Sequence, residues 1–102
     1  MNFEFKSKKL EQLYTEEKNA HKYPGEVIDN FFEVMLILES VPDEQTLLNK
    51  KIGGRKPEKL KGKRGVKGQY SIRLNQQFRL IFTIETDPND KYLLIIEIVD
   101  YH

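Results

Sequence analysis

The last three residues, Asp100-Tyr101-His102, set a carboxylate, a phenol and an imidazole side by side. Such a set suits proton transfer near neutral pH, where imidazole titrates and a neighbouring acid can orient it. The α-carboxylate of His102 favours the protonated ring, as a general acid requires. A chain end is normally frayed, but this one follows directly on the apolar run Tyr92 to Val99, which would tie it down. A second group is cationic. Arg73 and Arg79 alternate out of phase with Tyr70, Ile72, Phe78 and Phe82, and would share the open face of a sheet with Asn75. Two guanidinium groups across a hairpin can clamp one phosphate bidentately and stabilise a pentacovalent transition state. The third group precedes them: Lys59, Lys61, Lys63, Arg64 and Lys67 lie among glycines, with Glu58 as the only acid of the segment. Many cations on a permissive backbone with accessible N–H groups suit contact with a phosphate backbone.

The charge distribution supports that reading. The 102 residues carry a net charge of only +1, but this is a cancellation. Residues 1–49 hold five Lys/Arg and ten Asp/Glu; residues 50–79 hold eleven basic residues and one acid; residues 80–102 hold one and five. A middle third of net +10 between acidic flanks marks a surface for a polyanion. One aromatic residue, Tyr70, precedes Phe78 in this stretch, so a stacking platform for single strands is not expected.

Several chemistries are excluded. The chain has no cysteine, hence no disulfide scaffold, cysteine zinc site or thiol nucleophile, and this fits a reducing cytosol. His21, the only other histidine, falls in a polar turn, and two separated histidines gather no metal site. Neither phosphate-loop nor dinucleotide-loop spacing occurs, and no Ser/His/Asp relay stands out. No apolar run approaches the ~20 residues of a membrane span, and the charged opening Met1 to Lys6 is not a signal peptide.

The elements that must position these groups follow from periodicity. Phe3 and Phe5 alternate with polar neighbours as a short first strand. Ser7 can cap a helix over 8–18 with Leu10, Leu13 and Tyr14 as its apolar stripe. After a turn around His21 to Gly25, a longer helix returns Val27, Ile28, Phe31, Phe32, Met35, Leu36 and Leu38 to one broad side and ends near Ser40, with one further turn over 43–49. Residues 50–68 read as a long basic connection. Strands follow over 70–75, 78–84 and 92–99, joined by Asn75-Gln76-Gln77 and Asp87-Pro88-Asn89-Asp90. The expected fold is a single α+β domain over 1–102 in the order β-α-α-β-β-β. A small, mainly antiparallel sheet packs against a helical hairpin, with the first strand at an edge.

Three stretches of this chain resemble the HigB group of the RelE/ParE toxin superfamily of type II toxin–antitoxin systems. They are Leu60-Lys61-Gly62, the run from Gly68 to Phe82 containing Tyr70-Ser71-Ile72-Arg73, and the terminal Glu97 to His102. The resemblance implies a RelE-like fold and a cytoplasmic, ribosome-dependent endoribonuclease that cuts mRNA in the decoding site. No cofactor, metal or membrane is implied. The ribose 2′-OH would attack the adjacent phosphate, leaving a 2′,3′-cyclic phosphate and a 5′-OH. Implied partners are the ribosome, mRNA and a HigA-like antitoxin with a helix-turn-helix domain, forming a hetero-oligomer. By position, His102 would be the general acid or base, Asp100 its orienter or a second proton carrier, and Tyr101 a stacking or orienting group. Arg79, Arg73 and Lys61 would neutralise phosphate, with Lys59, Lys63, Arg64 and Lys67 extending the RNA and ribosome contact. Some members have a histidine two residues before Leu-Lys-Gly, where this chain has Glu58. A carboxylate can act as the base there, although it is weaker near pH 7 and repels phosphate. Two other readings are a ParE-like inhibitor of DNA gyrase and a non-catalytic RNA- or antitoxin-binding module.

Overall fold

The computed structural model describes residues 1–49, 51, 52 and 54–100. Its first strand, β1, is Phe3–Phe5, followed by helix α1 over Lys8–Glu16. Ser7 begins α1 as expected, its Oγ accepting a hydrogen bond from the Leu10 amide at 3.2 Å. The helix stops short of residue 18 because Glu17 turns left-handed, φ 53°, so that its N–H bonds to the Leu13 carbonyl at 3.0 Å and the Lys18 N–H to the Gln12 carbonyl at 3.3 Å. A 3₁₀ turn, Ala20–Lys22, leads to α2, Gly25–Ser40, with Pro24 immediately ahead of its first turn. Helix α3, Glu44–Asn49, is the short extra turn, and Asp43 Oδ1 receives the Thr46 amide at 2.8 Å.

The basic connection is not a plain loop. It contains a two-residue strand β2, Glu58–Lys59, and a short helix α4, Gly62–Val66. Ile52, within the same stretch, is fully buried. Two residues are too few to show a period, so β2 is made by its partner: Glu58 pairs with Ser71 and Lys59 with Tyr70. Strands β3 (Gln69–Arg73), β4 (Phe78–Thr86) and β5 (Lys91–Asp100) complete an α+β fold. The order across the sheet is β1-β5-β4-β3-β2, antiparallel except for the parallel β1–β5 pair. β1 is an edge strand, as anticipated.

β3 ends at Arg73, earlier than its alternation predicts. Asn75 Oδ1 accepts the amides of Gln77 and Phe78 at 2.8 and 2.6 Å, folding the chain into an Asx turn. Asn75 Nδ2 donates to Glu26 of α2 at 3.0 Å, so Asn75 shapes the turn and does not join Arg73 and Arg79 on one face.

The core lies between the helices and one face of the sheet. Phe31, Val34, Met35 and Leu38 of α2, with Leu10 and Leu13 of α1, bury against Ile72, Leu80, Phe82, Leu93 and Ile95. Phe3, Phe5, Tyr14, Phe31 and Phe32 form a connected ring cluster. Full burial of each large side chain contributes about 1.5–3 kcal/mol, and this packing holds the opposite face of the sheet rigid.

Candidate active site

Cross-strand pairing places the candidate residues. Tyr70 and Ile72 of β3 face Phe82 and Leu80 of β4 on the core side, so Ser71 and Arg73 share the far face with Ile81 and Arg79. Arg73 and Arg79 are direct partners across the hairpin, as their spacing predicts. In β5 the register slips between Ile81 and Phe82: Phe82 pairs with Ile95 but Ile81 with Glu97, which leaves Ile96 as an extra residue. Glu97 and Val99 therefore join the arginine face, whereas Asp100 pairs with Phe78 on the other side.

Two arginines are anchored on this face. Arg79 Nη1 lies 3.6 Å from Glu58 Oε2 and donates to Ser71 Oγ at 3.4 Å. Arg64, reaching over from α4, donates to Gln69 Oε1 at 2.9 Å and lies 3.8 Å from Glu97 Oε2. Ser71 and Ile81 beneath them are buried, so the charged groups sit on a packed floor. Exposed ion pairs of this kind contribute only about 0.2–1 kcal/mol each. Their effect is to orient the guanidinium groups, since an arginine already held in one direction loses less freedom on binding an anion.

The loop that carries the lysines is closed tightly. The Leu60 amide bonds to the Gln69 carbonyl at 3.0 Å, and the Gly68 amide to the Gly65 carbonyl at 2.9 Å. Gly62 and Gly68 take φ values of 69° and 73°, which side chains resist. A Cβ on Gly65 would run into the Leu60 carbonyl oxygen. These glycines thus make a specific compact turn, not a slack one. It presents exposed Lys61, Lys63 and Lys67 beside Arg64. Lys59 pairs with Tyr70 and so falls on the face opposite Glu58.

Asp100 accepts a hydrogen bond from Gln77 Nε2 at 3.0 Å, tying the end of β5 to the β3–β4 turn. Tyr101 and His102 lie outside the described residues. The structure thus joins Glu58 to Arg79 and Arg64 to the same sheet face, and turns Asp100 to the Gln77 side. Three polar residues of this face, Gln69, Ser71 and Glu97, escape the sequence reading. Glu97 alone had a visible signal, a lone acid in the otherwise apolar run Tyr92 to Val99. Among the described residues no group of His, Asp or Glu gathers to hold a metal ion.

The family model described as the RelE-like toxin of type II toxin–antitoxin system HigB matches residues 3–102. The chain belongs to this HigB-like toxin family. It is 38% identical over 82 residues to Toxin HigB-1 of Vibrio cholerae serotype O1, covering 80% of this chain and 82% of that relative. Among solved structures, a YoeB/ParE toxin from Agrobacterium tumefaciens superposes with a TM-score of 0.61 at 16% identity, over 100% of both chains. The toxin fold in a YoeB–YefM complex from Staphylococcus aureus gives 0.59 at 25% identity, over 100% of this chain and 97% of that one. This HigB-like toxin therefore has a RelE-type sheet, with Arg64, Arg73 and Arg79 of its basic third on the face away from the helices.

Proposed function

We propose that this HigB-like toxin is a ribosome-dependent mRNA endonuclease that works at the arginine face of its sheet. The observation that carries the reading is the Glu58–Arg79 pair at 3.6 Å. It places a carboxylate within reach of any phosphate that Arg79 binds. The 2′-OH adjoining that phosphate loses its proton to Glu58, and the resulting oxygen attacks phosphorus. The bond to the 5′-oxygen breaks, and His102 donates the proton that makes it a hydroxyl. A 2′,3′-cyclic phosphate remains. Arg79 and Arg64 balance the charge that develops on the phosphoryl oxygens, where prepositioned donors act most strongly. Arg73, Lys61, Lys63 and Lys67 hold the flanking phosphates, with Lys59 at the margin. Asp100, fixed by Gln77, orients the terminal segment, and Tyr101 stacks on or aligns a base. The partners are the ribosome, mRNA and a HigA-like antitoxin in the cytoplasm.

Induced expression with and without His102 tests the reading, with mRNA 5′ ends mapped in both strains. Growth arrest with cuts at translated codons, lost on deleting His102, is the expected result. Full toxicity without His102 refutes the assignment, and arrest with intact mRNA and relaxed plasmid would point to gyrase instead.

A further inference from the structure

A second binding site lies on the helix side of the molecule. A cavity of about 250 Å³ opens between α1, the 3₁₀ turn and the bulged stretch of β5. Leu10, Leu13 and Ile98 give it an apolar floor, Lys9, Lys18 and Lys22 stand on its rim, and Glu97, the carboxylate 3.8 Å from Arg64, also lines it. Residues 1–49 are strongly acidic and contain only five basic residues, yet three of the five meet here. None of the three has an ion-pair partner among the described residues. Tyr23 also lines the cavity; its ring packs edge-on against Phe78, and burial raises its pKa, which keeps the phenol a donor.

We propose that this lysine-rimmed cavity is a docking site for an acidic, amphipathic segment of the antitoxin, one apolar side chain entering between Leu10, Leu13 and Ile98 while flanking carboxylates meet Lys9, Lys18 and Lys22. The volume is below the roughly 300–1,000 Å³ of a small-molecule site, and suits a single anchoring side chain ringed by polar contacts. A bare phosphate backbone would leave the apolar floor unused, so a peptide fits better than RNA. Charge complementarity supplies the rest: three lysines outnumber Glu97, which already faces Arg64, so the cavity is net cationic within an acidic half-molecule and steers an acidic partner here. The cavity meets the arginine face only at Glu97, the partner of Arg64, and Glu58 and Arg79 are not among its lining residues. The inference rests on the toxin–antitoxin reading above and names the surface its partner uses.

The test is the variant Lys9→Glu/Lys18→Glu/Lys22→Glu, with Tyr23→Phe as a second variant that keeps the ring against Phe78 and removes the hydroxyl. Binding of the purified cognate antitoxin is measured by calorimetry at two salt concentrations, beside mRNA cleavage on programmed ribosomes. The triple variant should bind antitoxin at least about 30-fold more weakly, with a smaller salt dependence, and Tyr23→Phe several-fold more weakly. Both should cleave mRNA as the wild type does. Unchanged antitoxin affinity in the triple variant overturns the proposal. Unchanged antitoxin affinity with weakened cleavage overturns it in favour of RNA. Antitoxin binding is read directly, so failure of the nuclease reading leaves this result interpretable.

Discussion

Replacing Glu58 by glutamine separates two roles for the one acid in the basic third of the chain. Its carboxylate lies 3.6 Å from Arg79 Nη1 and is 62% exposed. Coulomb's law at that distance in water gives about 1.2 kcal/mol, and measured exposed pairs fall at about 0.2–1 kcal/mol. Loss of the pair should therefore cost no more than about 1 kcal/mol of stability. It also removes a competitor for the guanidinium, so substrate binding should tighten by about 1.4- to 5-fold, the same energy expressed as a ratio. If Glu58 takes the 2′-OH proton, kcat must fall far more, by about 10²–10⁴-fold, or about 2.7–5.4 kcal/mol of transition-state stabilisation. The expected result is thus a collapse of kcat with an unchanged or lower KM. The assay is single-turnover cleavage of mRNA on programmed ribosomes, with thermal unfolding as the control for the fold. Retention of kcat with a lower KM would show that Glu58 is only a counter-ion for Arg79 and would refute its role as base.

Two further outcomes follow from the loops. Gly65→Ala drives a Cβ into the Leu60 carbonyl, so the turn bearing Lys61, Lys63 and Arg64 must open; the sheet should persist by NMR while ribosome affinity falls several-fold, and an unchanged affinity would detach this turn from the interface. Asp43 has its pKa lowered by hydrogen bonds from the backbone and side chain of Thr46. A lowered folded-state pKa means that its contribution is complete above the unfolded carboxylate pKa and is lost as pH falls through the lower, folded-state one. A titration of the Thr46 amide shift should show that loss in the wild type and not in Asp43→Asn, and identical curves would remove Asp43 as the cap of α3.

Much of this architecture was legible because periodicity reports burial. The helices over 8–16 and 25–40 and the hairpin of β3 and β4 declared themselves through apolar spacing, and the opposition of Arg73 to Arg79 followed from alternation alone. What stayed hidden depends on pairing. β2 exists only because Glu58 and Lys59 meet Ser71 and Tyr70, and no window of two residues could announce it. The slip at Ile96 lies in a run that is apolar on both sides, so nothing in its pattern marks the extra residue. That slip decides that Glu97 faces the arginines and Asp100 does not. Asn75 misled for a related reason: its side chain serves the turn backbone, a local competition that alternation does not register. The glycines of the basic segment looked permissive, and Gly62 and Gly68 are used so at positive φ, whereas Gly65 is needed for close approach to Leu60.

The two margins of the sheet have a bearing on how such a molecule survives alone. β1 spans three residues and β2 two, while the long apolar strand β4 is paired on both sides. Exposed strand edges recruit other chains into aggregates, and brief ones offer few backbone groups for pairing. For a toxin of a toxin–antitoxin family, the state apart from its antitoxin is the one in which such edges matter. In that state short edge strands disfavour pairing with its own copies.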